Sequence, residues 1–396
     1  MSGTLNNVYN NISFALNLHY KAMARLQEQA STGSRISRAS DDPSAAYRVL
    51  GLNSQQRLLE NYMDNISEAI GVLEISTSVI DNMSSVIVET KVALTQIISG
   101  TYGEDGRQGL AKQINDALEQ MVSLANTQHL GQYIFGGSNT SSAPYAVQRT
   151  NGEITSVTYQ GSSQQRDIEV APGIQSNAYH VGEDIFCSDN RSTPEFPGDT
   201  GAAAGSGTSS VKGDVWLTVT EPVAGTYRLS IDDGASYVDV AVPPGNANTA
   251  VTNAAGQVLY VDTTNISSTG VDMVRVPGTY DVFNTLISVR DLLENERGLS
   301  DTQLAQCRKM LSDSLDEVRS LLTEKVIPIG YKIGFIDDLK NSLENIKFNT
   351  EDEATILQEA DIAQIAIDLT RRDVLYQMSL SVAGKLMSLS LLDYIE

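Results

Sequence analysis

Apolar residues at the two ends of the chain recur with the period of an α-helix. Near the start, Leu5, Tyr9, Ile12, Leu16, His19, Met23, Leu26 and Ala30 alternate four and three residues apart, the seam of a coiled coil. Near the end, Ile356, Ala360, Ala363, Ile367, Val374, Met378, Val382, Leu386 and Leu389 mark one stripe of a long amphipathic helix. Leu369, Tyr376, Leu380, Ala383, Met387 and Leu391 mark a second stripe beside it. Together they make a face wider than one neighbouring helix covers. The pattern predicts coiled-coil segments at 1–40 and 350–396 that pair with each other and leave apolar surface for copies of the same chain.

Helical spacing returns from Ser44 to Ile98, carried by Leu59, Tyr62, Ile66, Leu73, Ile80, Ile87 and Leu94. The roughly 45 residues from Asn53 make a rod of ~70 Å at ~1.5 Å per residue. A loop at 100–106 precedes Leu110, Ile114, Ala117, Met121 and Leu124, which predict a shorter helix running back along the first. At Gly131 to Ser138 the period changes to that of strands. Up to about Gly278 the chain is rich in Thr, Val, Ser and Gly, with strand-like runs at Ile154–Tyr159, Val215–Thr220, Thr226–Ile231 and Val258–Asp262. Turns are predicted at Asp233-Gly234 and Pro243-Pro244-Gly245. Residues 200–210, Gly-, Ala- and Ser-rich, read as a flexible joint.

Helix resumes near Tyr280 through Leu293, and again from Leu304 through Leu322, with Ser300 or Asp301 as its cap. Pro328 predicts a bend or break at 326–330. Gly33 can close the first helix, and Ser40 or Asp41 can cap the second, with Pro43 in its first turn. The fold class is therefore mainly α with a β-rich insert. An elongated rod of long antiparallel helices joins the terminal coiled coil to a helical bundle of 41–140, completed by 279–349. The all-β insert occupies 141–278, with a proximal part at 141–187 and a distal part at 209–278.

Composition narrows the chemistry. A net charge of −22 disfavours any broad surface for nucleic acid or anionic membrane. No run is long and apolar enough to span a bilayer, and the start, MetSerGlyThrLeuAsnAsn, lacks the features of a cleaved secretory signal. The two cysteines, Cys187 and Cys307, are too few for a disulfide framework and lack zinc spacing. His19, His129 and His180 fall in separate segments without a second ligand nearby in sequence, so they read as packing residues and no metal is expected. Asp41-Asp42 reads as capping and loop contacts in preference to a metal pair or an acid-base couple. No nucleophile arrangement or phosphate loop is legible, so no enzyme activity and no cofactor are expected. Arg35, Arg38 and Arg48 are solvated charges by default, with carboxylates of adjacent subunits as alternative partners.

Certain words occur in a telling order: Ser31-Thr32-Gly33-Ser34-Arg35-Ile36 running into Ser40-Asp41-Asp42-Pro43, Ala125-Asn126-Thr127 leading to Tyr133-Ile134-Phe135-Gly136-Gly137, and Ala143-Pro144-Tyr145. Tyr159-Gln160-Gly161, Gly182-Glu183-Asp184-Ile185-Phe186 and Leu389-Ser390-Leu391-Leu392-Asp393-Tyr394 follow. In this order the chain resembles the flagellin superfamily, and within it the branch that forms the junction between hook and filament. Residues 188–277 carry no part of the resemblance.

The resemblance implies a structural, secreted protein of the bacterial flagellum, exported by the type III route without a cleaved signal. It implies a ring of protomers, a hook-associated junction protein on the hook side, flagellin on the filament side, and an export chaperone at the C-terminal helix. The assembly interface expected on this basis comprises Leu5, Tyr9, Ile12, Leu16, Met23, Leu26, Val374, Met378, Val382, Leu386, Leu389, Leu391 and Leu392. Flagellin proper, a surface adhesin or enzyme-bearing flagellin acting through the insert, and a cytoplasmic coiled-coil scaffold remain as alternatives.

Overall fold

The computed structural model describes residues 2–96 and 103–395, except for the side chains of residues 2–6, 8, 9 and 386–395. The chain opens with three helices, α1 (Ser2–Thr32), α2 (Pro43–Gln96) and α3 (Glu104–Ala125). Short strands β1 (Gln128–His129) and β2 (Gln132–Tyr133) follow, then hairpins β3 (Tyr145–Thr150) with β4 (Glu153–Tyr159) and β5 (Arg166–Ala171) with β6 (Ile174–Tyr179). Next come α4 (Gly182–Phe186), β7 (Cys187–Asp189), β8 (Ala203–Ala204), β9 (Gly213–Val223), β10 (Thr226–Ser230), β11 (Val238–Ala241), β12 (Thr249–Thr252), β13 (Val258–Asp262), β14 (Gly270–Val276) and β15 (Thr279–Asp281). Helices α5 (Val282–Glu294), α6 (Asp301–Gln358) and α7 (Ile362–Ile395) close the order. Two compact units result, one of residues 1–64 with 339–396 and one of residues 65–338, and the divisions fall inside α2 and α6.

In the second unit the helical periodicity becomes a core. Ile66, Leu73, Ile80, Met83, Ile87 and Leu94 of α2 are fully buried, as are Leu118 and Met121 of α3 and Leu286 and Val289 of α5. On α6, Leu311, Leu315, Val318 and Leu322 continue the set. The helix starts are chemically marked. Asp281 accepts hydrogen bonds from the amides of Phe283 (2.8 Å) and Asn284 (3.1 Å), and Ser300 caps α6 in a reciprocal pair with Gln303.

Helix α6 continues through Pro328 without a break in the helix. An internal proline costs ~3 kcal/mol in an isolated helix. Here Leu322, Ile329 and Ile336 lie buried on both sides of it, at ~1.5–3 kcal/mol for each large side chain removed from water. Packing outweighs the lost hydrogen bond.

The proximal insert is held by aromatics. Phe135, Tyr145, Phe186 and Phe283 form one cluster, with the Phe135–Phe186 and Tyr145–Phe283 ring centroids each 4.9 Å apart. Burial pushes the Tyr145 phenol far above its ordinary range. The distal insert stacks a sheet of order β11-β10-β9-β14 and a sheet of order β12-β13-β8 around Leu217, Val219, Leu229, Val251, Leu259, Val261 and Val274.

Residues 200–210 are packed, contrary to their reading as a flexible joint. Ala202 and Val211 lie in the distal core, and β8 pairs with β13. The small residues serve close approach: a Cβ on Gly201 would stand 2.2 Å from the Asn265 carbonyl oxygen, and one on Gly207 would meet the Tyr260 ring. Asp214 joins β9 to α6, accepting a hydrogen bond from the Ser314 hydroxyl at 3.2 Å. Its other oxygen is buried without a partner, and burial pushes the carboxyl up to about 6.

Candidate assembly surface

The terminal unit is built around the place where α1 ends and α7 begins. Gly33 takes φ +67°, the conformation that lets a glycine close a helix. Ser34 then forms an antiparallel bridge with Glu359: the Arg35 amide donates to the Gln358 carbonyl at 2.6 Å and the Ala360 amide donates to the Gly33 carbonyl at 3.0 Å. The Arg35 guanidinium donates to the Leu357 carbonyl (3.0 Å) and to Asp42 (3.1 Å), so one side chain ties three segments together.

The acidic pair divides the remaining work. Asp42, next to Pro43, caps α2 by accepting from the Ala45 amide at 3.1 Å, a role the sequence pattern had placed on Ser40 or Asp41. Asp41 accepts from the Arg38 amide at 2.9 Å and from Ser37, closing the loop. These backbone hydrogen bonds, from Arg38 to Asp41 and from Ala45 to Asp42, are the main reason both carboxyls lie below the ordinary carboxylate range. Asp361 caps α7 through the Gln364 amide at 3.0 Å.

The arginines find carboxylates within the chain itself: Arg35 with Asp42, Arg38 with Glu28 and Arg48 with Glu353. All three sit at the surface, exposed as the solvated reading expects, and each also pairs with a carboxylate of its own chain. Lys347 and Glu60 add a further contact at 3.0 Å.

From this joint α1 and α7 run antiparallel and pack against each other. Ile12, Leu16, His19, Met23 and Leu26 are half-buried, so the seam of α1 faces within the unit. On α7 the two stripes separate only in part. Leu369, Tyr376 and Ala383 of the second stripe are half-buried beside the buried Ile365, but Leu380 of that stripe is 46% exposed; in the first stripe Val374 and Met378 remain 50% and 61% exposed, with Ile367 and Val382 alongside. A shallow apolar groove runs along this open side, lined by Ala366, Ile367, Thr370, Val374 and Leu375.

Phe14 and Leu18 of α1 are also exposed, and the sequence reading did not select them. Their i, i+4 spacing beside the seam was the available signal. The side chains of Leu5, Tyr9, Leu386, Leu389, Leu391 and Leu392 lie outside the described residues. Among the described residues, no group of three or more His, Cys, Asp and Glu side chains is gathered to hold a metal ion, and no helix is long and apolar enough to cross a membrane.

These features define a class: a chain whose paired end helices keep apolar side chains uncovered and whose middle carries a β-rich insert. Residues 4–140 match the bacterial flagellin N-terminal helical region. Flagellar hook-associated protein 3 of Escherichia coli is 29% identical over 162 residues, covering 41% of this chain and 49% of that protein. The Salmonella typhimurium protein of the same name is 30% identical over 165 residues, covering 41% and 50%. The chain thus aligns with about half the length of these curated relatives. The crystal structure of flagellar hook-associated protein 3 from Legionella pneumophila shares the fold at 16% identity, with a TM-score of 0.50 over 76% of this chain and 97% of that one. Over residues 4–140, then, the chain is similar to the N-terminal helical region of the bacterial flagellins.

Proposed function

We propose that the protein is a structural subunit of the bacterial flagellum, placed at the junction between hook and filament and working by self-association of its terminal helices into a ring. The observation that carries this reading is the exposed apolar surface of α7. Leu369, Tyr376 and Ala383 are half-buried, while Val374, Met378, Leu380 and Val382 face solvent in the single chain. A helix with an uncovered apolar stripe gains burial when copies come side by side. The names of its curated relatives support the junction role.

In this reading a hook-associated partner covers one side of the ring and flagellin the other. Export through the flagellar type III apparatus delivers the chain outside the cell, and a chaperone shields α7 beforehand. The interface residues proposed are those of the two end helices, including Leu5, Tyr9, Leu386, Leu389, Leu391 and Leu392.

Met378→Asp tests it. The variant chain should keep the helicity of the wild type by circular dichroism yet be missing from isolated flagella. Normal incorporation of Met378→Asp would remove the basis of the proposal. The match to the flagellin N-terminal region also favours a second reading, a filament subunit proper. Immunogold labelling separates the two: one band at the hook end supports the junction, and labelling along the whole filament supports the filament subunit.

A further inference from the structure

Two apolar features in the unit of residues 65–338 are exposed to solvent, one a protruding hairpin tip and the other a glycine-bearing helix face. The first is convex. Leu130 sits at the tip of the β1–β2 hairpin with φ +49°, followed by Gly131 at φ +78°, and its side chain is 81% exposed. Positive φ at both central residues suits Asn-Gly or Asp-Gly, and a bulky side chain there is strained. A leucine that bears strain and touches solvent is not explained by the fold of its own hairpin.

The second is concave. On α6, Gly330 and Gly334 lie one turn apart, and a Cβ added at either would meet nothing within 4 Å. Ile327, Tyr331 and Phe335, spaced four apart, form an exposed ridge beside this glycine row, with Tyr331 at 79% exposure. Val326 and Ile333 border it on the other side. Lys332 is the sole charged residue from Val326 to Ile336, and it turns inward to donate to the Asn177 carbonyl at 3.0 Å.

Knob and recess do not meet within one chain. Lys332 anchors α6 to β6 through Asn177, while Arg166 of β5 bonds Gln132 of the β1–β2 hairpin, so the β5–β6 hairpin stands between them. We infer that Leu130 of one copy seats on the glycine-floored recess of α6 in the next copy, as a lateral, heterologous contact. Such a contact repeats head to tail and closes a ring when the rotation permits. The inference rests on the self-association reading above and adds a contact outside the terminal helices.

Charge and area both favour a second copy as the occupant. A chain of net charge −22 repels its own copies wherever carboxylates meet, yet residues 127–135 and 326–336 contain none. Buried aromatics contribute roughly 150–250 Å² each. On the α6 side Tyr331, Phe335 and Ile327 therefore supply on the order of half the ~800 Å² per partner of a standard interface, with Leu130 on the facing side. The contact is too small to hold two chains alone and sufficient as one part of a ring that the end helices also hold.

Cysteine pairing on isolated flagella tests the contact. A chain carrying both Leu130→Cys and Gly334→Cys should give, after mild oxidation, a ladder of disulfide-linked multimers on a non-reducing gel. Cells co-expressing the two single variants should stop at the Leu130→Cys with Gly334→Cys dimer, and the wild type should give neither product. Gly334→Leu, which fills the recess without an internal clash, should lower the flagellar copy number several-fold. Double-variant chains present in flagella but unlinked, with Gly334→Leu incorporated normally, would overturn the contact and leave self-association through the end helices standing. Wild-type chain absent from flagella would overturn both.

Discussion

A single carboxyl, Asp214, shows what burial does to a charge at the contact between β9 and α6. Burial raises it from its ordinary 3.8 to about 6, with Ser314 and Arg275 opposing. A raised folded value means that the contribution to stability is fully present below pH 3.8 and is lost as pH rises through about 6. Asp214→Asn should therefore stabilise the protein by ~1–3 kcal/mol at pH 7.5 and by far less at pH 4, as read by urea unfolding at both values. His180 runs the other way. Burial, then Lys332, pulls it down to about 4 from 6.5, so its contribution is present above 6.5 and lost as pH falls through about 4. Comparing the variant with wild type at each pH cancels that trend. Gly201 offers a second residue-scale check. With φ +85° and the Asn265 carbonyl in its way, Gly201→Ala should cost ~1–3 kcal/mol in the same assay. Neither effect was legible in the sequence: Gly201 stands in a run whose composition reads as a linker, and Asp214 has no neighbour in sequence that reveals its burial.

Elements were more legible than contacts. The strand-like runs at Ile154–Tyr159 and Val258–Asp262 became β4 and β13, and the three-four spacing from Ser44 became α2, because apolar period is a local property of the chain. The inner and outer stripes of α7 were both visible too. Which one faces α1 was not, since both satisfy a helical period and only the joint at Ser34 and Glu359 sets the rotation of α7. The same limit applied to Pro328, where local propensity argued for a break and burial of Ile329 and Ile336 decided otherwise. Pro328→Ala should raise stability by ~1–3 kcal/mol in thermal unfolding, because it restores an amide to an otherwise continuous helix. Leu26→Ala, on the half-buried seam, should cost ~1–2 kcal/mol, less than the ~2–5 of a fully buried leucine.

For the molecule as a whole, the resemblance to flagellins rested on words at both ends and in the proximal insert, and the match over residues 4–140 agrees with the N-terminal words. The distal insert had no such words, yet it folds around its own apolar core through Leu217, Leu229 and Leu259. A body with its own core, not needed to bring the ends together, can be removed as a unit. Replacing residues 191–277, whose flanks meet where the Asn190 amide donates to the Gly278 carbonyl at 3.0 Å, with a short Gly-Ser linker should leave flagellar incorporation intact, measured by immunoblot of isolated flagella. Loss of incorporation would instead place an assembly contact in the insert.

The antiparallel bridge between Ser34 and Glu359 also dictates a sequence of events in time. Anything that handles the chain as a thread, whether ribosome or secretion channel, delivers α1 and α7 most of the sequence apart. Neither can lie against its mate until the second has emerged. Closure at that bridge is then a local signal that the chain has arrived as far as Glu359, and a copy interrupted midway has no means of giving it.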